Sequence, residues 1–358
     1  MTKKEQVMDL WRKNFQDSEE FIRFYFERKY SDENSLVYEE NGKALSALLM
    51  LPYPMTWSGT LLTTSYISGA CTLQEARNHG LMSMLLQEAF LEMHKRNIAL
   101  STLIPANDRL FQYYGHLGYA AVFSYSTTSY AVPPAQAMPS GPFFSPEHFD
   151  AEFARQHYPF FRDTLMQKNC CVQHTEEDYL AIVEETYLSG GRLLVCASED
   201  RQSTTGWALA VPEADTLYVK EMLYRSQQEQ ATLLHALFSI FHAPSVTCRQ
   251  FPGQSGQNRY GMARIIDVQY MLSHLAAQNP DLSLRLKVYD PQLPANNGIF
   301  TLAAGECISS GHLNRPADIE TDIPSLTKAL LGYQPDQLPQ PLNGLSENQY
   351  PYMNLMLD

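Results

Sequence analysis

ISGACTLQEARNHGLMSMLLQEAFLEM, residues 67–93, carries the chain from a strand, through a short polar loop, into a helix. Residues 61–72 are dominated by Thr, Ser, Tyr and Ile, a composition that predicts a buried strand. Beyond Gly80, Met82, Leu85 or Leu86, Ala89 and Met93 recur at helical spacing and form one apolar face. A strand, a loop bearing Arg77 and Gly80, and a helix N-terminus make a natural anion cradle. Unpaired backbone N–H groups and the positive helix end favour a phosphate, and glycine lets the backbone approach it. An ordinary strand–loop–helix with an incidental arginine has the same Arg-x-x-Gly, so the decision falls to the next segment.

Residues 97–104 are a second strand-like run, ended by Pro105. Asn107 then stands as a helix N-cap before LFQYYGHLGY, residues 110–119. The loop Arg77-x-x-Gly80 followed, one helix and one strand later, by Tyr114-x-x-x-Gly118-Tyr119 resembles the GNAT acetyltransferase superfamily. Its acetyl-CoA site pairs these two pieces in this order, and the combination is far more specific than either alone.

At 358 residues the chain is expected to hold two or three domains. Its 26 Lys and Arg against 39 Asp and Glu give a net charge of −13, which argues against nucleic acid or an anionic membrane as partner. The charge suits a cationic substrate, although acidic surfaces are common. No run approaches the ~20 apolar residues of a membrane span. The N-terminus lacks the apolar core of a signal peptide and starts an amphipathic helix. The cysteines form no Cys-x-x-Cys pair, Cys170-Cys171 being merely vicinal, and the histidines show no metal spacing. Reduced thiols, no metal and a cytoplasmic location are expected.

In chain order, residues 3–29 predict two helices, the second presenting Phe21, Phe24, Tyr25 and Arg28. Asn41-Gly42 between residues 35–40 and 43–51 predicts a hairpin. Residues 119–132 complete a mixed α/β layer. Pro133-Pro134, Pro139 and Gly141-Pro142 then break the pattern as a linker. Helices over 147–158 and 176–187, strands over 192–198, 207–211 and 217–224, a helix over 228–241 and a strand over 246–249 repeat the first order. The second strand-to-helix junction, Tyr224-Arg225-Ser226-Gln227-Gln228-Glu229, has no glycine. It is read as a GNAT-like domain without a CoA site, with an unrelated α+β domain as the alternative.

After residues 251–256 the chain reads Met262-Ala263-Arg264-x-x-Asp267-Val268, then Asn296-x-Gly298-x-Phe300, then Asp318-x-x-x-Asp322-Ile323-x-x-Leu326. These segments resemble the C-terminal sterol-carrier-like domain of the Eis (enhanced intracellular survival) family, whose members join two GNAT domains to this third one. The resemblance implies an α/β (α+β) fold in three parts: a catalytic GNAT domain over 1–132, a GNAT-like domain over 133–256 and a sterol-carrier-like domain over 257–358. It implies a homo-oligomer, a hexamer in this family, and an acetyl-CoA-dependent N-acetyltransferase. The acceptor is a small-molecule amine of an aminoglycoside, a polyamine-like compound or a lysine. Two other classes stay open: a scaffold whose site has decayed, and a carrier of apolar molecules through the third domain.

The resemblance assigns residues as follows. Ala70, Cys71 and Thr72 form the strand edge that meets the pantetheine arm through backbone groups, with Cys71 a strand filler rather than a nucleophile. Arg77, Asn78, His79, Gly80, Leu81, Met82 and Ser83 form the pyrophosphate loop, where Asn78 and His79 stand in place of the family's arginines. Asn107 caps its helix near the CoA arm. Tyr114 is matched to the general acid that protonates departing CoA, with Tyr113 able to exchange roles with it. The tail ends Tyr352-Met353-Asn354-Leu355-Met356-Leu357-Asp358. In the family the terminal carboxylate orients the acceptor amine and accepts its proton, and here the side chain of Asp358 adds a second carboxylate.

Overall fold

Two capped helices open the chain. Thr2 starts α1 (Lys3–Asn14) with a reciprocal capping box to Glu5, and Ser18 starts α2 (Glu19–Arg28) by accepting from the Phe21 N–H. β1 (Ser35–Glu40) and β2 (Lys43–Trp57) then fold about Asn41-Gly42, and β3 (Thr60–Thr72) pairs antiparallel with β2. β2 runs beyond the predicted residue 51, through Pro52 and Pro54, to Trp57. The prolines are tolerated because β1 pairs only as far as Leu49, so the far half of β2 has an open edge. α3 (Leu81–Lys95), β4 (Leu100–Leu103), α4 (Asp108–His116) and β5 (Ala120–Ala131) follow.

Beyond these come β6 (Phe143–Phe144), α5 (Ala151–Met166), α6 (Glu176–Leu188), β7 (Arg192–Ala197), β8 (Thr204–Glu213), β9 (Thr216–Tyr224), α7 (Gln227–Phe241) and β10 (Ser245–Gln250). The last stretch holds β11 (Asn258–Ile265), α8 (Val268–Gln278), β12 (Leu284–Tyr289), β13 (Gly298–Ala303), β14 (Glu306–Ser310), β15 (Ile319–Asp322) and α9 (Ile323–Leu330). The structure is a computed structural model that describes residues 1–132, 142–198, 203–214, 216–253, 257–310 and 316–357. The linker residues Pro133, Pro134, Pro139 and Gly141, the loop residues 254–256 and the terminal Asp358 lie outside the described residues.

The chain forms two compact units. One holds Met1–Phe123 and Arg259–Pro351, the other Ser124–Asn258 and Tyr352–Leu357. In the first, strands run in the order β1-β2-β3-β4-β11, with β3 and β4 parallel and β11 antiparallel to β4. Its main core is built on α3, where Leu85, Leu86, Ala89, Phe90 and Met93 pack with Tyr114, Tyr119, Met262 and Leu293. A separate sheet, β14-β13-β12-β15, belongs to the same unit. Its outer strands β14 and β15 went unpredicted, because Glu306–Ser310 and Ile319–Asp322 are short and mostly polar.

In the second unit the order is β5-β10-β9-β8-β7-β6, with β9 and β10 parallel. A helix, α7, joins that parallel pair as α3 joins β3 to β4. Leu194, Ala208, Ala210, Leu217 and Val219 pack there against Leu233, Ala236 and Leu237. The two units thus repeat one layout, antiparallel strands leading into a parallel strand–helix–strand.

Candidate active site

The site begins where two parallel strands part. β3 and β4 pair only from Thr64 with Leu100 to Tyr66 with Thr102, while β3 continues to Thr72 and β4 ends at Leu103. Along the parting edge β3 carries a bulge, with Gly69 and Ala70 opposite the single residue Leu48. Such an insertion bends the strand and re-aims its edge. Trp11 presses on it: a Cβ on Gly69 would lie 2.4 Å from the indole ring. Tyr25 adds a 2.6 Å hydrogen bond to the hydroxyl of Ser68. Of the α2 stripe, Tyr25 is fully buried and Phe24 is buried, whereas Phe21 is half-buried and Arg28 exposed.

Past the edge, two carbonyls are already engaged. Ser46 Oγ donates to the Cys71 carbonyl at 3.0 Å and Arg77 Nε to that of Thr72 at 3.1 Å. Arg77 also donates to Asn14 Oδ1 at 2.7 Å, so the loop's one cation braces the loop itself. Burial raises the Cys71 thiol to about 12, which leaves it a thiol at neutral pH and a poor nucleophile.

Asn78 and Gly80 adopt left-handed backbone, at φ +65° and +78°, and bring the chain into α3. A side chain at Gly80 would be strained by that φ, yet a Cβ there meets nothing within 4 Å, so the space above it is open. Ser, Thr, Asn or Asp side chains cap α1, α2 and α4 to α9, whereas α3, among the described α-helices, has no side-chain cap. The N–H groups of Leu81, Met82 and Ser83 thus head a long helix at an open end, where an anion is favoured.

α4 brings the tyrosines to this corner. Asn107 caps it by accepting from the Leu110 N–H at 3.1 Å. Tyr113 is half-buried and shares a 3.0 Å hydrogen bond with Ser83 in the first turn of α3. Tyr114 is buried, its ring 5.8 Å from Tyr119 and 5.2 Å from Tyr113. Its hydroxyl has no hydrogen-bond partner among the described residues. Burial pushes the phenol well above its usual range and keeps it protonated. Tyr119 is held through a 2.7 Å hydrogen bond between its hydroxyl and Ser101.

The second unit closes the equivalent features. Ser226 caps α7 by accepting from the Gln228 N–H and is hydrogen-bonded to Glu229, which puts a carboxylate where an anion would sit. β9 and β10 also part, after Val219 with Cys248, beside a bulge at Lys220. There the chain's own tail is seated. Asn354 Nδ2 donates to the Lys220 carbonyl at 2.6 Å, and its Oδ1 accepts from Arg249 at 2.8 Å. The Tyr352 hydroxyl donates to Glu221 at 2.7 Å, and Tyr352 exchanges backbone bonds with Cys170 and Val172. Met353, Leu355 and Leu357 are buried, so the tail is packed up to the last described residue.

Residues 2–122 match the family described as an acetyltransferase (GNAT) domain, and residues 268–340 that described as a sterol carrier protein domain. The chain carries a GNAT acetyltransferase domain. It is an acyltransferase of the GNAT type, with a sterol carrier protein domain behind it. Among solved structures, a GCN5-related N-acetyltransferase from Anabaena variabilis ATCC 29413 is 17% identical, with a TM-score of 0.75 over 98% of this chain and 95% of that one. A conserved protein of unknown function from Enterococcus faecalis V583, a probable N-acyltransferase, is 16% identical, with a TM-score of 0.72 over 92% and 88%. Eis1 from Mycobacterium abscessus is 13% identical, with a TM-score of 0.68 over 92% and 86%. At these identities the likeness is one of fold. No curated protein matches the chain.

The GNAT domain thus brings Ala70, Cys71, Thr72, the loop of residues 77–83, Asn107, Tyr113 and Tyr114 onto neighbouring elements of one unit. Sequence reasoning did not find the bulge under Trp11 or the bond from Tyr113 to Ser83. Gly69, an isolated glycine inside a strand pattern, was the available sign of the first. Among the described residues no group of three or more His, Cys, Asp and Glu can hold a metal ion. No helix there is long and apolar enough to cross a membrane.

Proposed function

We propose that the GNAT domain moves an acetyl group from acetyl-CoA directly to a primary amine of a cationic acceptor, aminoglycoside-like, polyamine-like or a lysine. The observation that carries this is the uncapped N-terminus of α3, with open space above Gly80, set where β3 and β4 part. The N–H groups of residues 78–83 would hold the pyrophosphate and the edge at residues 70–72 the pantetheine arm. With Arg77 tied to Thr72 and Asn14, phosphate recognition rests on backbone dipoles, which favours modest affinity. Asn107, its oxygen spent on the cap, keeps its amide for the coenzyme arm.

Acetyl-CoA supplies the acetyl group as a thioester. The residues of the chain orient it and move the protons. Tyr114, kept neutral by burial, donates its hydroxyl proton to the departing sulfur as the C–N bond forms and the C–S bond breaks. The acceptor must lose a proton to become a nucleophile. The side chain of Asp358 is proposed to draw in the ammonium and take that proton, and the net charge of −13 favours such an acceptor over an anionic one.

The test is calorimetry with acetyl-CoA, followed by CoA release across a panel of aminoglycosides, polyamines and lysine peptides. Binding together with release on a subset of amines supports the proposal. Absence of both would overturn it.

A further inference from the structure

Arg264, the arginine of the Met-Ala-Arg segment, has no part in the site above, yet it is fully buried. Burying a guanidinium is costly unless it is paired and hydrogen-bonded, and here both Nη atoms are answered while Nε has no partner among the described residues. Arg264 lies on β11, whose Arg264 stands opposite Ser101 of β4. Its Nη2 donates to Asp290 Oδ2 at 2.6 Å and its Nη1 to the carbonyl of Leu117 at 2.7 Å. Phe90 of α3 lies beneath it, 4.3 Å from ring centroid to guanidinium carbon. Asp290 is itself saturated, accepting from the N–H groups of Gln292 and Leu293 and from Asn296.

The carbonyl that Arg264 reaches closes α4. Leu117 is the C-cap of that helix, and its N–H, like that of Tyr119, bonds back to the carbonyl of Tyr114. A buried positive charge at a helix C-terminus meets the negative end of the dipole and an otherwise orphaned carbonyl. The contact also accounts for the glycine of Tyr114-x-x-x-Gly118-Tyr119. At φ +87°, a Cβ on Gly118 would lie 2.0 Å from Arg264 Nη1, so any side chain there would evict the guanidinium.

We infer that Arg264 is a positioning residue for Tyr114. It ties the end of α4 to Asp290, in the segment leading through the sterol carrier protein domain, and so fixes the backbone that aims the phenol. That domain is then a structural requirement of the acetyl transfer in the same chain, whatever else it binds. The inference rests on Tyr114 being the general acid.

Arg264→Met strips Asp290 of its counter-ion and is prone to misfold, so Arg264→Lys is the deciding variant. An ammonium there keeps the pair with Asp290 but, lacking the fork, does not reach Leu117 as well. Arg264→Lys is expected to lower kcat about 10- to 100-fold with the KM for acetyl-CoA unchanged, as a small displacement of the reacting group does. In a Tyr114→Phe background the same change is expected to have almost no further effect on kcat. Wild-type kcat in Arg264→Lys beside an impaired Tyr114→Phe overturns this inference alone, as does an equal loss in both backgrounds. Wild-type turnover in Tyr114→Phe overturns the assignment of the acid and this inference with it.

Discussion

Replacing Tyr114 by Phe removes one oxygen and leaves the ring packed against Tyr113 and Tyr119. Because the hydroxyl has no partner among the described residues, no internal hydrogen bond is lost, and stability is expected to change by no more than about 0.5 kcal/mol. Catalysis is a different matter. Loss of a positioned general acid lowers turnover about 10²–10⁴-fold, which at 1.36 kcal/mol per tenfold is about 3–5 kcal/mol of barrier. Tyr113→Phe reverses the pattern, losing the bond to Ser83 at about 1 kcal/mol of stability while keeping the acid. The pH profile adds a check. Burial raises the Tyr114 phenol, so its protonated form persists beyond the ordinary value of about 10, and no loss of the acid is expected between neutrality and that point. The assay is CoA release at saturating acetyl-CoA with the best acceptor, beside thermal melts of both variants. Wild-type turnover in Tyr114→Phe with a large loss in Tyr113→Phe would refute the argument and hand the role to Tyr113.

Acetyl-CoA is expected to bind once per chain, and Gly80→Glu, which strains φ +78° and sets a carboxylate over the open helix end, is expected to abolish it in a folded protein; two equivalent calorimetric sites would contradict this. Asp358→Asn removes the carboxylate without disturbing the packed Leu357, and is expected to depress turnover with acetyl-CoA binding intact; full activity would remove Asp358 from the mechanism. Glu221 is raised above its ordinary 4.5, chiefly by burial and against its bonds from Asn354 and Tyr352. The folded state thus holds its proton at pH values where the unfolded chain has lost it, so this stabilisation is complete below the unfolded value and declines as pH rises toward the folded one. Relative to the wild type, Glu221→Gln is expected to gain stability as pH climbs above about 4.5, by up to ~1.4 kcal/mol per unit, and a gap independent of pH in denaturant titrations would count against it.

Much of the site was legible because its logic is local. Arg77-x-x-Gly80, the Asn107 cap and Tyr114-x-x-x-Gly118-Tyr119 are short-range patterns, and β3, α3 and α4 form where composition, helical spacing and the Asn107 cap respectively place them. What escaped depends on partners distant in sequence. Pro52 and Pro54 argue against a strand unless one knows that β1 ends at the level of Leu49. β4 is shorter than predicted because regular pairing on its two sides spans only Leu100 to Leu103. Arg264 looked like part of a family signature, and its role needs Leu117, Asp290 and Gly118, which no spacing rule brings together.

The two units make the functional argument sharper than either does alone. Each parts a parallel strand pair beside a bulge and points a long helix at the gap. In the second, Ser226 and Glu229 occupy the helix end and residues 352–357 pack beside the parted strands, so the donors and acceptors of that gap are answered from within the chain. In the first, the helix end is left to Gly80. A glycine cap costs only a few tenths of a kcal/mol relative to serine, so an open N-terminus is cheap to keep in stability terms. The same framework is thus closed by its own side chains in one copy and left with unanswered N–H groups in the other. That difference, rather than the shared fold, is why acetyl-CoA is assigned to the first unit alone.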